Sequence, residues 1–142
     1  ESLNEFVIDA SVAVKWFLPE IYSEAAGRIL KSKQKLLAPE LIWAEVGNTL
    51  WKKILRQEIT IEESSRILQD FLRFPLQIYG SKFLLDAAWG LAVGYRISVY
   101  DGLYLALAVG RGCFLVTADR RFYEALREKD IGKKLVWVED AQ

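Results

Sequence analysis

The sequence predicts an α/β protein, a three-layer α/β/α sandwich around a mainly parallel central sheet. Three observations carry that prediction. Short apolar runs of β-prone residues alternate with longer stretches of helical periodicity. The runs are apolar throughout, as strands covered on both faces are. Helices, not hairpin turns, separate them, which is what parallel neighbours require. The whole chain, residues 1–142, reads as one domain, long enough to bury a core without disulfides or metal staples.

Each element follows from local signals. Phe6-Val7-Ile8 reads as a buried strand ending at Asp9, and Ala10 to Phe17 starts a helix. Ile21 to Lys33 puts Ala25, Ala26, Ile29 and Leu30 on one helical face. Lys35 to Ala38 is a short strand. Pro39, suited to a first helical turn, opens a long helix to about Arg56. Thr60-Ile61-Glu62-Glu63 is a capping box that starts a helix running to Phe74. Leu76 to Tyr79 is strand-like, and Lys82 to Tyr95 is helical. Ile97 to Tyr100 connects to a helix from Asp101 to Arg111, stopped by Gly112. Cys113 to Val116 is a strand, Asp119 to Lys129 a helix and Leu135 to Val138 a last strand.

Composition removes whole classes of chemistry. The chain has no histidine and one cysteine, Cys113. Ser-His-Asp and Cys-His catalysis are therefore excluded, as are a structural zinc site and an internal disulfide. Acid, base and metal chemistry falls mainly on 19 carboxylates, with lysine, arginine, tyrosine and hydroxyls as helpers, and carboxylate oxygens suit hard cations such as magnesium and manganese. Lys and Arg also number 19, so no global charge steers the chain toward nucleic acid. The longest apolar-rich stretch, Phe83 to Leu107, is interrupted by Asp86, Arg96 and Asp101, so no membrane span is expected. No basic start followed by an apolar signal region is visible, and the cytoplasm is the expected compartment.

Four carboxylates stand at telling positions. Asp9 and Asp119 lie at or just beyond the carboxyl ends of two strands, where parallel sheets bind ligands. Asp101 opens a helix. Glu45 lies mid-helix, three residues before Asn48 and on the same face. Helix capping is an alternative account of Asp9, Asp101 and Asp119, and a solvated face is one for Glu45. Converging carboxylates repel one another unless a cation neutralises them or some are protonated. With a divalent cation, such a set can activate a water for attack on phosphorus without histidine.

These residues sit in segments that resemble a known family. Val7 to Phe17 (VIDASVAVKWF) looks like the opening of PIN-domain proteins of the VapC toxin type. Pro39-Glu40-Leu41 through Glu45 to Leu50, Tyr100 to Ala108, and Leu115 to Phe122 resemble its next three motifs, in order. The resemblance implies a PIN-like fold and a divalent-metal-dependent endoribonuclease, the toxin of a toxin–antitoxin pair. It implies the acidic quartet Asp9, Glu45, Asp101 and Asp119 as magnesium or manganese ligands and catalytic groups. A homodimer and a cognate antitoxin protein are implied likewise. Ser11, Asn48 and Thr117 would hold waters or orient those carboxylates, with local helix or turn bonds as the alternative.

Among the basic groups, Arg120 and Arg121 follow a proposed ligand and are the candidates to meet RNA phosphate. Lys31-Lys33-Lys35, Lys52-Lys53-Arg56 and Lys133-Lys134 read as ordinary surface charge. Trp43 and Trp51 lie eight apart on one helix, hence near one face. Two other functions fit parts of the pattern. One is an α/β phosphatase or phospho-acceptor using Asp9, although no second aspartate follows two residues on. The other is a non-catalytic binding module.

Overall fold

The computed structural model describes residues 4–141; residues 1–3 and 142 of the expected domain lie outside that range. Five strands form one sheet: β1 (Glu5–Ile8), β2 (Lys35–Pro39), β3 (Gln77–Tyr79), β4 (Phe114–Thr117) and β5 (Leu135–Trp137). Their order is β3-β2-β1-β4-β5, and every pairing is parallel. β1 is central, with Val7 and Ile8 fully buried. Its run extends one residue further back than expected, to Glu5. That buried carboxylate is held by the Arg111 guanidinium, Nη2 to Oε2 at 2.7 Å and Nε to Oε1 at 3.2 Å, a two-pronged geometry suited to a buried charge.

The helices are α1 (Ala10–Ala13), α2 (Ser23–Lys31), α3 (Leu41–Leu55), α4 (Ile61–Leu72), α5 (Ser81–Tyr95), α6 (Val99–Arg111) and α7 (Arg120–Leu126). Right-handed crossovers put α1 to α4 over one face of the sheet and α5 to α7 over the other, which makes the three layers the sequence predicts. α6 is the most deeply set helix, buried without a break from Gly102 to Ala108, and it packs on β1, β2, β4 and α5. A ring cluster of Trp16, Phe17, Trp43, Phe71 and Phe74 ties the chain after α1 to α3 and α4. Trp43 packs there while Trp51 is exposed, since eight residues leave roughly 80° between them around a helix. Among the described residues no helix is long and apolar enough to cross a membrane.

Several boundaries differ from the expected ones. Pro39 ends β2, and the helix after it starts at Leu41. Glu40 caps elsewhere: its Oε1 accepts the Ser81 amide at the start of α5, at 2.7 Å. The segment after Asp9 is one α-turn followed by a 3-10 turn, Val14–Trp16. The helix expected to reach Lys129 stops at Leu126, and a 3-10 turn, Asp130–Lys134, leads into β5.

Candidate active site

The site lies where the strand order reverses. β2 and β4 flank β1 on opposite sides, and the chain leaves β1 and β4 in different directions, which opens a crevice at their carboxyl ends. Asp9 follows β1 directly, and Asp119 stands two residues beyond β4. α3 leaves the same edge from β2 and carries Glu45. α6 precedes β4, so its first turn, with Asp101, starts at that edge too. A cleft of about 400 Å³ is lined by all four carboxylates together with Ser11, Asn48, Thr49 and Tyr104.

Asp9 is fixed at both oxygens. Oδ1 accepts from the Ser11 hydroxyl at 2.5 Å and the Val12 amide at 3.2 Å, and Oδ2 accepts from the Thr117 hydroxyl at 2.5 Å. Thr117 Oγ1 also accepts the Asp119 amide at 3.0 Å, and Ser11 Oγ accepts the Ala118 amide at 2.9 Å. Two hydroxyls thus lock the ends of β1 and β4 to each other. The local-bond and the carboxylate-orienting accounts of Ser11 and Thr117 are one and the same arrangement. Asn48 lines the cleft wall as an exposed side chain.

The capping alternatives divide. Asp9 and Asp119 do cap α1 and α7, through the Val12 and Phe122 amides. Asp101 does not cap α6. Ser98 does, its hydroxyl accepting the Asp101 amide at 3.0 Å, so the Asp101 carboxylate is left facing the cleft. Glu45 is no solvated-face residue either: Tyr104 donates its hydroxyl to Glu45 Oε1 at 2.6 Å. Burial, then the neighbouring Glu45 carboxylate, pushes the Tyr104 hydroxyl far above its ordinary value, so it stays a donor. Sequence reasoning missed Tyr104, although it lies one turn after Asp101, a spacing that shares a helix face.

Electrostatics marks the four as one set. Asp9 is only 9% exposed. Burial pushes its carboxyl up to about 6 against the pull of its three hydrogen bonds, and Asp119 adds to the rise. Asp101 is likewise pushed up to about 6, first by burial and then, past the opposing Ser98 bond, by Asp119 and Glu45. Among the described residues no ion pair involves any of the four. None of the four is therefore neutralised by direct contact with a cation of the chain, although Lys15, Lys52, Lys53 and Arg56 line the same cleft. Nor do three of these groups close into a ready-made ligand cage among the described residues. Magnesium keeps several waters and takes one or two carboxylates plus substrate oxygens, so it does not require such a cage.

The basic residues fall differently from expectation. Neither Arg120 nor Arg121 lines the cleft. The first turn of α7 carries Arg120 away onto the Trp137 ring, 3.9 Å from its centroid, and toward Glu124. Lys52, Lys53 and Arg56, expected to be plain surface charge, do line it, with Lys15 and Glu20. The missed signal is a helical stripe: Glu45, Asn48, Thr49, Lys52 and Arg56 recur at three- and four-residue steps.

Comparison with known proteins agrees with this geometry. Residues 6–127 match the model of the PIN domain. The chain is 34% identical over 122 residues to Ribonuclease VapC3 of Pyrobaculum aerophilum, covering 84% of this chain and 93% of that protein. The crystal structure of PAE2754 from Pyrobaculum aerophilum superposes with a TM-score of 0.70 at 26% identity, over 95% of this chain and 84% of that one. A toxin–antitoxin complex from Klebsiella pneumoniae shares the fold, with a TM-score of 0.64 at 14% identity over 96% of this chain and 100% of that one. With its switch-point cleft, its carboxylates at the ends of β1 and β4, and a family match over most of its length, the chain belongs to the PIN-domain family.

Proposed function

We propose that the chain is a divalent-metal-dependent endoribonuclease, the toxin of a toxin–antitoxin pair, with Asp9, Glu45, Asp101 and Asp119 as its metal-holding and catalytic carboxylates. The observation that carries this reading is the gathering of four carboxylates in one cleft, none of them ion-paired among the described residues and two of them lifted to about 6. Curated relatives named VapC ribonucleases support the RNA substrate. Magnesium or manganese is the ion such oxygen donors suit. When bound, it neutralises charge on the phosphodiester and makes a water more acidic.

The chain's own part is positioning and proton transfer. Ser11 and Thr117 hold Asp9 in one orientation, and Tyr104 does the same for Glu45. Hydrolysis forms one P–O bond to water and breaks another. A proton leaves the water, and one reaches the departing oxygen. With no histidine in the chain, the carboxylates lining the cleft are the groups placed to take the water's proton. Asp101, which caps nothing and faces the cleft, is the group we assign to that task. The phospho-acceptor alternative fares worse, because Ser11 stands two residues after Asp9, where that chemistry needs a second aspartate.

Partners follow from the same reading. The cognate antitoxin would silence the nuclease, and the cytoplasm, where RNA is plentiful, is its compartment. A second copy of the chain is the partner we assign to the outer face of α5, where Leu85, Trp89 and Val93 are exposed at four-residue intervals. The decisive assay is cleavage of single-stranded RNA by wild type and Asp9→Asn, with manganese and with EDTA. Cleavage by wild type alone, lost in EDTA, is expected. Equal cleavage by both proteins would overturn the assignment.

A further inference from the structure

The cleft has a second half that the carboxylate chemistry does not use. Along α3, Glu45 and Asn48 face the acidic end, and Lys52, Lys53 and Arg56 follow on the same wall. At about 1.5 Å of rise per residue, Lys52 lies roughly 10 Å and Arg56 roughly 16 Å along the axis from Glu45. That is the reach of roughly three to five stacked nucleotides. Among the described residues, Lys52 and Arg56 have no ion-pair partner.

Lys15 and Lys53 complete this end, and they are occupied. Glu20 bridges them, with Oε1 at 2.9 Å from Lys15 Nζ and Oε2 at 2.9 Å from Lys53 Nζ. Glu58 reaches Lys53 from the rim at 3.4 Å. Burial raises the Glu20 carboxyl, but hydrogen bonds from Lys53 and Lys15 outweigh it and leave the group below its ordinary value. One oxygen on each of two ammonium groups is also how a phosphodiester would present its two non-bridging oxygens. Glu20 keeps a quarter of its side chain exposed, so it has solvent to move into.

We propose that Lys15, Lys52, Lys53 and Arg56 form a subsite for backbone phosphates of the single-stranded RNA beside the scissile bond, and that Glu20 is a resident phosphate mimic there. It holds Lys15 and Lys53 in place until an RNA phosphate displaces it. The inference rests on the ribonuclease reading and gives it a direction, since the substrate strand runs along α3 from the carboxylates toward Arg56. It also predicts selectivity: a strand too short to reach the basic end loses these contacts.

The test is fluorescence anisotropy with a labelled single-stranded RNA, in EDTA to hold cleavage off, across a series of potassium chloride concentrations. Lys52→Ala and Arg56→Ala are exposed changes at a helix end and leave the fold intact. Each is expected to weaken binding and to lower the slope of log affinity against log salt by about 0.7. Glu20→Gln is expected to tighten binding by about three- to tenfold, because a competing charge is removed. Unchanged slopes in both Lys52→Ala and Arg56→Ala, or no tightening in Glu20→Gln, would overturn the subsite while wild type still binds and cleaves RNA. A wild type that neither binds nor cleaves RNA overturns the ribonuclease reading, and the subsite with it.

Discussion

Asp9 and Asp101 bind protons more tightly in the folded chain than in the unfolded one, because burial raises both carboxyls to about 6. In the metal-free protein the stability they contribute is fully present below about pH 4 and is lost as pH rises through 6. For the buried Asp9 the loss is on the order of 3 kcal/mol. The Asp9→Asn variant removes the Asp9 share of this dependence and leaves that of Asp101, so the wild-type minus Asp9→Asn difference in Tm, measured in EDTA from pH 4 to 7.5, should fall with rising pH. Magnesium at the high end should restore it by binding only the folded state. A difference that stays flat with pH would contradict the burial argument. Tyr104 acts through Glu45 and is a positioning residue. Tyr104→Phe should lower cleavage by about 10- to 100-fold and raise the manganese concentration needed for half-activity, with Tm little changed. An activity loss with unaltered manganese dependence would mean that Tyr104 does not orient a metal-holding group.

Among the elements, α6 brings Asp101 and Tyr104 to the cleft, and α5 packs behind it. At Gly102 they approach too closely for a side chain, since a Cβ there would stand 2.6 Å from the Ala88 carbonyl oxygen. That neighbour is backbone and cannot swing aside. Gly102→Ala should destabilise the fold by about 1–3 kcal/mol and displace Asp101 beside it, read as a lower denaturation midpoint together with weaker RNA cleavage. An unchanged midpoint would show that α5 can yield. This scale also displays what the sequence makes legible. The capping box at Thr60 is present as read, with Glu63 reaching back to the Thr60 amide, because its signals lie within four residues. Pro39 misled because a proline at the last position of a strand that leads into a helix satisfies the same local rule as one at a helix start. At Asp101, two cap-capable residues three apart compete, and only the backbone conformation at Ser98 decides between them.

At the scale of the molecule, strand order is the feature that local signals do not contain. Alternation of strand and helix implies a parallel sheet, and the chain's motifs point to Asp9 and Asp119 at strand ends. The juxtaposition of β1 with β4 that joins them is a long-range pairing. Tyr104 with Glu45, and Glu20 with Lys53, are long-range contacts too, which is why reading along the chain overlooked them. The balanced net charge hides a cleft with an acidic and a basic end. The outer face of α5 makes a separate whole-molecule prediction. Wild type should run as a dimer in size-exclusion chromatography with light scattering, and Trp89→Lys as a folded monomer. A monomeric wild type, or a dimer that survives Trp89→Lys, would move the self-association surface elsewhere. If the four carboxylates form one cation site, manganese binding followed by electron paramagnetic resonance at pH 7.5 will be saturable in wild type and at least about tenfold weaker in Asp101→Asn. Equal affinity in the two proteins would show that they do not.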